Sequence, residues 1–190
     1  MAIFLFGVLS LFHPFRSAVT VALQTTVAHL YAIPTAAFPD VSTADLGTTQ
    51  NQIVALSKQE YAKHPVSYDR AVLAYTQGSK EPWCADYVSW VFKQAGAPFT
   101  NPNSGGWRIP GVYTLQEYFQ ANHRYKTAGA YTPKTGDVAI YNKGQGHTAI
   151  VMSTGHDMMT VIGGNENGHL RLSTQNYQVG TNGLVGFGVL

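Results

Sequence analysis

The chain contains a single cysteine, Cys84, within the stretch EPWCADYVSW at residues 81–90. A lone cysteine cannot form an internal disulfide, so it is either a small buried hydrophobe or a thiol kept for its reactivity. Pro82 suits a first helical position, and the pattern predicts a helix from there to about Ala95. Free backbone N–H groups and the helix dipole favour a nucleophilic thiolate in that first turn. Asp86, in the same turn, suits a capping role better than a catalytic one.

A cysteine nucleophile needs a base, and the chain has seven histidines. His147 differs from the others because it follows a glycine-rich turn and opens an apolar strand, in GDVAIYNKGQGHTAIV. That position fixes the backbone and exposes the imidazole at the edge of a sheet. The other histidines lie in the N-terminal segment, after helices, in a turn or at a later strand: His13, His29, His64, His123, His156 and His169.

The elements that must position these two residues change in character along the chain. Helical patterns cover residues 49–64, 82–95 and 112–122, whereas residues 67–81 show no regular pattern. Short β-rich runs separated by Gly, Asp and Asn follow: GDVAIYN, HTAIVMS, MMTVIGG, HLRLSTQN and GLVGFGVL. Their connections are too short for crossover helices. The sequence therefore predicts an α+β fold, with N-terminal helices packed on an antiparallel β-sheet of about five to six strands.

Three motifs, in this order, resemble the CHAP family of cysteine, histidine-dependent amidohydrolases and peptidases. They are WCADYVSWVFKQAG, with the cysteine at a helix start, then TGDVAIYNKGQGHTAIVMS, with G-H opening a strand, and then VIGGN. Each motif is weak alone, but three in the right order at fitting spacings are specific. The resemblance covers about residues 50–190 and implies a papain-like fold related to the NlpC-like wall hydrolases.

Carried over by position, the resemblance implies that Cys84 is the nucleophile and that His147 is the general base. The family orients this histidine with a polar residue near the end of the following strand, where many members read E-G-N. This chain reads G-G-N at residues 163–165, so glycine replaces the glutamate. Asn165 is then the expected third residue, and the expected enzyme is of the Cys-His-Asn type.

Strand geometry gives a separate test of the third residue. If Ser153 pairs with Met159 in a hairpin, Asn165 lies opposite His147 on the same face of the sheet. A slip of one residue would move Asn165 to the other face. Two alternatives follow directly in the chain: Glu166 and Asn167.

The reaction that the resemblance implies is acyl transfer to a thiolate, with the histidine as acid and base. Gln77 is a possible second oxyanion donor beside the backbone N–H of Cys84, although an ordinary turn residue is the commoner role. Trp83 and Trp107 are possible groove residues for a sugar or peptide, although tryptophan more often packs in a core.

The N-terminal 37 residues differ from the rest of the chain. They are apolar, and Arg16 is their single charged side chain, which predicts a secretory signal. An uncleaved membrane-proximal anchor and a buried first helix are the alternatives, although polar residues interrupt any span of ~20 apolar residues. Residues 38–48 are predicted to be a linker and residues 49–190 the catalytic domain.

Composition and motifs exclude several classes of partner. The formal net charge is +2 and no run of Lys or Arg occurs, so nucleic-acid binding is not expected. The sequence has no zinc-ligand spacing, no calcium loop and no phosphate-binding glycine motif, so we expect neither a metal nor a cofactor. Contact with a membrane is expected only through the N-terminal segment, and a single domain favours a monomer.

The expected function is that of a secreted or wall-associated peptidoglycan hydrolase. It would cut an amide bond, either as an N-acetylmuramoyl-L-alanine amidase or as a peptide endopeptidase, and the motifs do not separate the two. Two alternatives stay open. One is a secreted cysteine hydrolase with a non-wall amide substrate. The other is a catalytically degenerate papain-like module that binds the wall, which the missing glutamate favours.

Overall fold

The computed structural model describes residues 36–190, so the predicted export segment lies outside it apart from its last two residues. The helices are α1 (Thr48–Ala62), α2 (Arg70–Tyr75), α3 (Cys84–Gln94) and α4 (Val112–Ala121). The strands are β1 (Tyr125–Thr127), β2 (Val138–Tyr141), β3 (His147–Gly155), β4 (Met158–Glu166), β5 (His169–Asn176) and β6 (Leu184–Gly188). None of these helices is both long enough and apolar enough to cross a membrane.

The strands form one sheet in the order β1-β6-β2-β3-β4-β5, and all neighbours are antiparallel. Helices therefore precede a six-stranded antiparallel sheet, which confirms the predicted α+β class. Alternate residues of a strand point to opposite sides of the sheet, and both sides of β3 are buried under a hydrophobic cluster. Ile150 packs in the cluster that contains α3, and Ala149 and Val151 pack in the cluster on the other face.

The sequence did not predict two of these elements. Helix α2 lies in the segment expected to be irregular, and it is too short to show a helical period. Its start is fixed by Asp69, whose Oδ1 accepts a hydrogen bond from the backbone N–H of Val72 at 2.8 Å. Strand β1 has only three residues, mostly exposed, and exists because β6 pairs with it.

The segment predicted to be a linker packs on the domain at its N-terminal end. The Phe38 ring lies with its centroid 6.0 Å from that of Tyr61. The Tyr61 hydroxyl donates a hydrogen bond to the carbonyl oxygen of Ala36 at 2.7 Å. Phe38 is also one of the residues that pack against the main hydrophobic cluster, so this part of the segment belongs to the folded unit.

The hairpin of β3 and β4 has the expected register near the site but not near its turn. Ala149 pairs with Gly163, as the predicted register requires, whereas Ser153 pairs with Thr160 and not with Met159. His156 and Asp157 form a two-residue turn with φ of 48° and 61°, and such a turn dictates the pairing beside it. An irregularity between Val151 and Ser153 takes up the one-residue difference.

Candidate active site

Cys84 is the first residue of α3, two residues later than the predicted helix start. Trp83 precedes it with φ −115° and ψ 18°, which are not helical values. The Trp83 ring is buried, and its indole N–H donates a hydrogen bond to Ser67 Oγ at 3.0 Å. Cys84 itself is 6% exposed, so a packed aromatic anchor holds a mostly buried thiol at the start of the helix.

His147 is the first residue of β3 and pairs with Tyr141, the last residue of β2. The chain enters the strand through Gly146, whose φ is 81°. A Cβ at Gly146 would also lie 3.2 Å from the Val112 side chain, so glycine is needed both for the conformation and for the close approach. This turn sets the imidazole at the end of the sheet beside the start of α4.

Cys84 and His147 line the same cleft, which has a volume of about 350 Å³. The pKa of His147 reflects this setting. Burial lowers it, but the interactions of the imidazole with Cys84 and Glu166 outweigh burial and raise the pKa to about 9. The imidazole is therefore held in its protonated form at neutral pH, next to the thiol.

Glu166 lies on the other side of the imidazole, with its Oε1 3.4 Å from His147 Nε2. This contact is not a hydrogen bond, and Nε2 is buried without any hydrogen-bond partner within residues 36–190. A Cβ at Gly163 would overlap the Glu166 carboxylate and would lie 2.8 Å from Nε2. The glycine that replaces the family's glutamate thus leaves the space that the Glu166 carboxylate fills.

A bulge in β4 explains how Glu166 reaches this space. Gly163 pairs with Arg171 and Glu166 pairs with His169, so two residues of β4 stand opposite one residue of β5. Asn165, inside the bulge, has a left-handed φ of 60°. Because side chains alternate along a strand, one extra residue returns Glu166 to the side of the sheet that Gly163 faces.

Asn165 and Asn167 occupy other places than the expected third residue. Asn165 lines the cleft with Cys84 and His147, but no hydrogen bond joins it to His147 in the part of the chain that the structure describes. Asn167 is exposed in the turn between β4 and β5, with φ 52°. The expectation that Asn165 orients the imidazole therefore stays a prediction, and no hydrogen bond among the described residues supports it.

His147 also borders a second hollow, of about 430 Å³, on the side of Glu166. Its lining is mostly polar and includes Lys143 and Gln175. The Gln175 side chain accepts a hydrogen bond from Asn182 Nδ2 at 2.7 Å and donates one to the Tyr141 hydroxyl. The imidazole therefore stands between two hollows, one on the thiol side and one on the carboxylate side.

The remaining residues singled out in the sequence lie away from the cleft surface. Gln77 is exposed in a turn with φ 54° and does not line the cleft. Trp83 is core, at 1% exposure, and Trp107 is half-buried with Lys93 Nζ 4.5 Å from its ring centroid. Neither tryptophan is among the residues that line the two hollows beside His147.

Sequence reasoning missed an ion-pair cluster at one end of the cleft. Arg108 Nη1 donates to Glu81 Oε1 at 2.5 Å and to Asp86 Oδ1 at 2.6 Å. Asp86 is fully buried, and burial raises its pKa to about 6 although Arg108 acts to lower it. Asp86 thus holds Arg108 rather than simply capping the helix. The one feature of the sequence that pointed to this ion-pair cluster was the position of Glu81, close to Cys84 in the chain.

The described residues contain no group of three or more His, Cys, Asp and Glu side chains that could hold a metal ion. The groups that line the cleft and the second hollow are protein side chains and backbone groups. The Cys84 thiol and the His147 imidazole are the groups in the cleft that could act as nucleophile and base.

Comparison with known proteins gives one positive finding. A model of the CHAP domain matches residues 75–165, a segment that contains Cys84, His147 and Gly163. No curated protein and no solved structure matches the chain. The matched family consists of hydrolases of the amidase and peptidase type, and the motifs that carried the resemblance lie within or beside the matched segment. This match supports the assignment of residues 75–165 to the CHAP domain family.

Proposed function

We propose that this protein is a cysteine hydrolase that cuts an amide bond of peptidoglycan with Cys84 as nucleophile and His147 as acid and base. One observation carries the proposal: the sole thiol of the chain starts helix α3 and lines the same cleft as the His147 imidazole. A helix start and an adjacent imidazolium are the two features that most favour a reactive thiolate.

The reaction begins with attack of the Cys84 thiolate on the carbonyl carbon of the amide. The imidazolium of His147 then gives its proton to the leaving amine, and an acyl-thioester remains on Cys84. Neutral His147 next takes a proton from a water molecule, and the resulting hydroxide attacks the thioester. Release of the carboxylic acid restores the thiolate and the imidazolium.

The backbone N–H of Cys84 suits the first oxyanion donor. It belongs to the first residue of α3 and so has no partner within the helix. Such a donor, aimed at the developing oxyanion, contributes about 3 kcal/mol to transition-state stabilisation. Gln77 is exposed and does not line the cleft, which removes the support for its role as the second donor.

We assign the orientation of His147 to Glu166 and not to Asn165. The carboxylate lies 3.4 Å from Nε2, within reach of a small closure to hydrogen-bond distance when substrate binds. A carboxylate there also stabilises the imidazolium, which an amide does less well. The enzyme type is then Cys-His-Glu, a revision of the Cys-His-Asn type that the sequence suggested.

The substrate class and location of the proposed enzyme rest on the family and on the N-terminal sequence. Members of the family act in a peptidoglycan context, which supports a wall peptide or the muramoyl amide as the substrate. The apolar N-terminal segment supports export and a secreted or wall-associated monomer. The proposal includes both activities, that of an amidase and that of an endopeptidase.

Digestion of purified peptidoglycan tests the proposal. The full chain and its Cys84→Ala variant are incubated with walls of several chemotypes, and the released fragments are identified by mass spectrometry. We expect fragments from the wild type alone, and their masses name the bond that is cut. Digestion by both proteins would contradict the role of Cys84, and digestion by neither would contradict the wall as substrate.

A further inference from the structure

Glu81 brings a carboxylate into the cleft that holds Cys84 and His147. Its side chain is 34% exposed and lines this cleft. Among residues 36–190, no Lys or Arg side chain lines the cleft, and the other groups that line it are neutral apart from the Cys84–His147 pair. Any charge that a substrate carries at this end of the cleft therefore meets an acidic side chain.

Arg108 does not neutralise this end of the cleft. One guanidinium is shared between two carboxylates, those of Glu81 and Asp86, so the three groups together carry one net negative charge when both acids are ionised. Asp86 is fully buried, so the solvent-facing carboxylate is that of Glu81. Its Oε2 accepts no hydrogen bond from residues 36–190, whereas Oε1 is held by Arg108.

Packing and hydrogen bonds hold the backbone on both sides of the cluster. Pro82 and the buried Trp83 join Glu81 to the start of α3. The carbonyl oxygen of Arg108 accepts a hydrogen bond from Asn101 Nδ2 at 2.6 Å. The backbone N–H of Ile109 donates to Ser89 Oγ, on α3, at 3.2 Å. A carboxylate fixed in this way needs little reordering to bind a cation.

The surroundings strengthen a charge interaction at Glu81. Pro82, Pro110 and Val112 line the same cleft, and apolar walls with one sign of charge focus the field of that charge. We propose that Glu81 is a specificity residue that binds a protonated primary amine of the substrate, so that the enzyme selects amides with a free amino group near the scissile carbonyl. This inference rests on the proposed function, because it takes the cleft to be the site where the peptide binds.

Charged thiol reagents test the subsite without any substrate. Cys84 is the only cysteine, so a methanethiosulfonate reagent modifies it alone. The thiolate attacks the sulfenyl sulfur, a mixed disulfide forms and methanesulfinate leaves. We compare the rate constants for a trimethylammonium-ethyl reagent and a sulfonatoethyl reagent in the full chain, in Glu81→Gln and in Glu117→Gln.

We expect the wild type to react faster with the cationic reagent, and Glu81→Gln to lower the ratio of the two rate constants by about tenfold. Glu117→Gln removes the same charge from an exposed site on α4 that does not line this cleft, and it should leave the ratio unchanged. Thermal unfolding confirms that both variants are folded. An equal ratio in Glu81→Gln and the wild type would overturn the proposal.

A pair of peptides then links the subsite to catalysis. The two differ only in a free or an acetylated amine beside the scissile amide, and kcat/KM is measured for each. We expect a preference for the free amine in the wild type that Glu81→Gln abolishes and Glu117→Gln retains. Cleavage of both peptides with the same preference in Glu81→Gln would overturn the subsite but not the hydrolase. If neither peptide is cleaved, the hydrolase proposal fails for these amides, and the reagent ratio decides the subsite alone.

Discussion

The Glu166 carboxylate fills the space that a side chain at Gly163 would need. A Cβ at Gly163 would overlap it and would lie 2.8 Å from His147 Nε2. The resemblance to the family places its glutamate at the position of Gly163, and in this chain a carboxylate reaches that place from Glu166, three residues further along. The bulge at Asn165 makes this possible, since it changes which side of β4 Glu166 faces.

Glu166 should matter more for activity than Asn165. We expect Glu166→Gln to lower kcat by roughly 10²-fold, because the charge that stabilises the imidazolium is lost while the shape is kept. Asn165→Gly is the matched comparison, since glycine removes the amide and accepts the left-handed φ of 60°. Steady-state kinetics on a defined peptide gives both values. A larger loss for Asn165→Gly would return the orienting role to Asn165.

Gly163→Ala should impair catalysis although it adds only one methyl group. The new Cβ would displace the Glu166 carboxylate and press on His147 Nε2, and misplaced catalytic groups cost roughly 10²-fold in rate. Gly155→Ala is the control, because Gly155 lies in the same hairpin with an ordinary φ, and a methyl group added there would meet no atom within 4 Å. Near-wild-type kcat/KM for Gly163→Ala would show that catalysis does not need the space beside Gly163 that the Glu166 carboxylate fills.

The pH profile of kcat/KM should fall on its alkaline side near pH 9. Burial lowers the pKa of His147, but the interactions with Cys84 and Glu166 raise it to about 9, and the protonated imidazole is the acid for the leaving amine. In Glu166→Gln one of the groups that raise the pKa is gone, so the alkaline limb should move to lower pH. Identical alkaline limbs in the two proteins would contradict the role of Glu166.

The same raised pKa has a consequence for folding. A histidine with a folded-state pKa above its unfolded value of 6.5 stabilises the fold fully below pH 6.5. That contribution is lost as the pH rises through about 9. Urea unfolding across this range should therefore show that the free energy of unfolding of the wild type decreases with pH. The decrease should be smaller in His147→Gln. The same decline in both proteins would mean that other groups cause it.

Arg108→Met should destabilise the fold most at neutral pH. It leaves the fully buried Asp86 without its partner, and an unpaired buried charge costs about 3–5 kcal/mol. Burial already raises the pKa of Asp86 to about 6, so at about pH 5 this acid is protonated and the cost should shrink. Urea unfolding at about pH 7.5 and about pH 5 measures the difference. An equal loss at both values would mean that lost packing, and not charge, is responsible.

The sequence by itself determined the order of the elements, apart from α2 and β1, and the two residues on which the proposed chemistry depends. Cys84 at a helix start and His147 at a strand start are local features, because helical and strand periods and glycine turns are written in neighbouring residues. The interior register of the hairpin, with Ala149 opposite Gly163, agrees with the predicted register, although the Ser153–Met159 pair that defined it does not form.

Only the tertiary structure decided which group stands beside His147 Nε2 and what charge lines the cleft. The place of Glu166 depends on one extra residue in β4, and a bulge forms only where a neighbouring strand pairs on both sides of it. The link of Arg108 to Glu81 and Asp86 joins residues 27 and 22 positions apart. Such contacts arise from packing between elements, which the local patterns of a single sequence do not record.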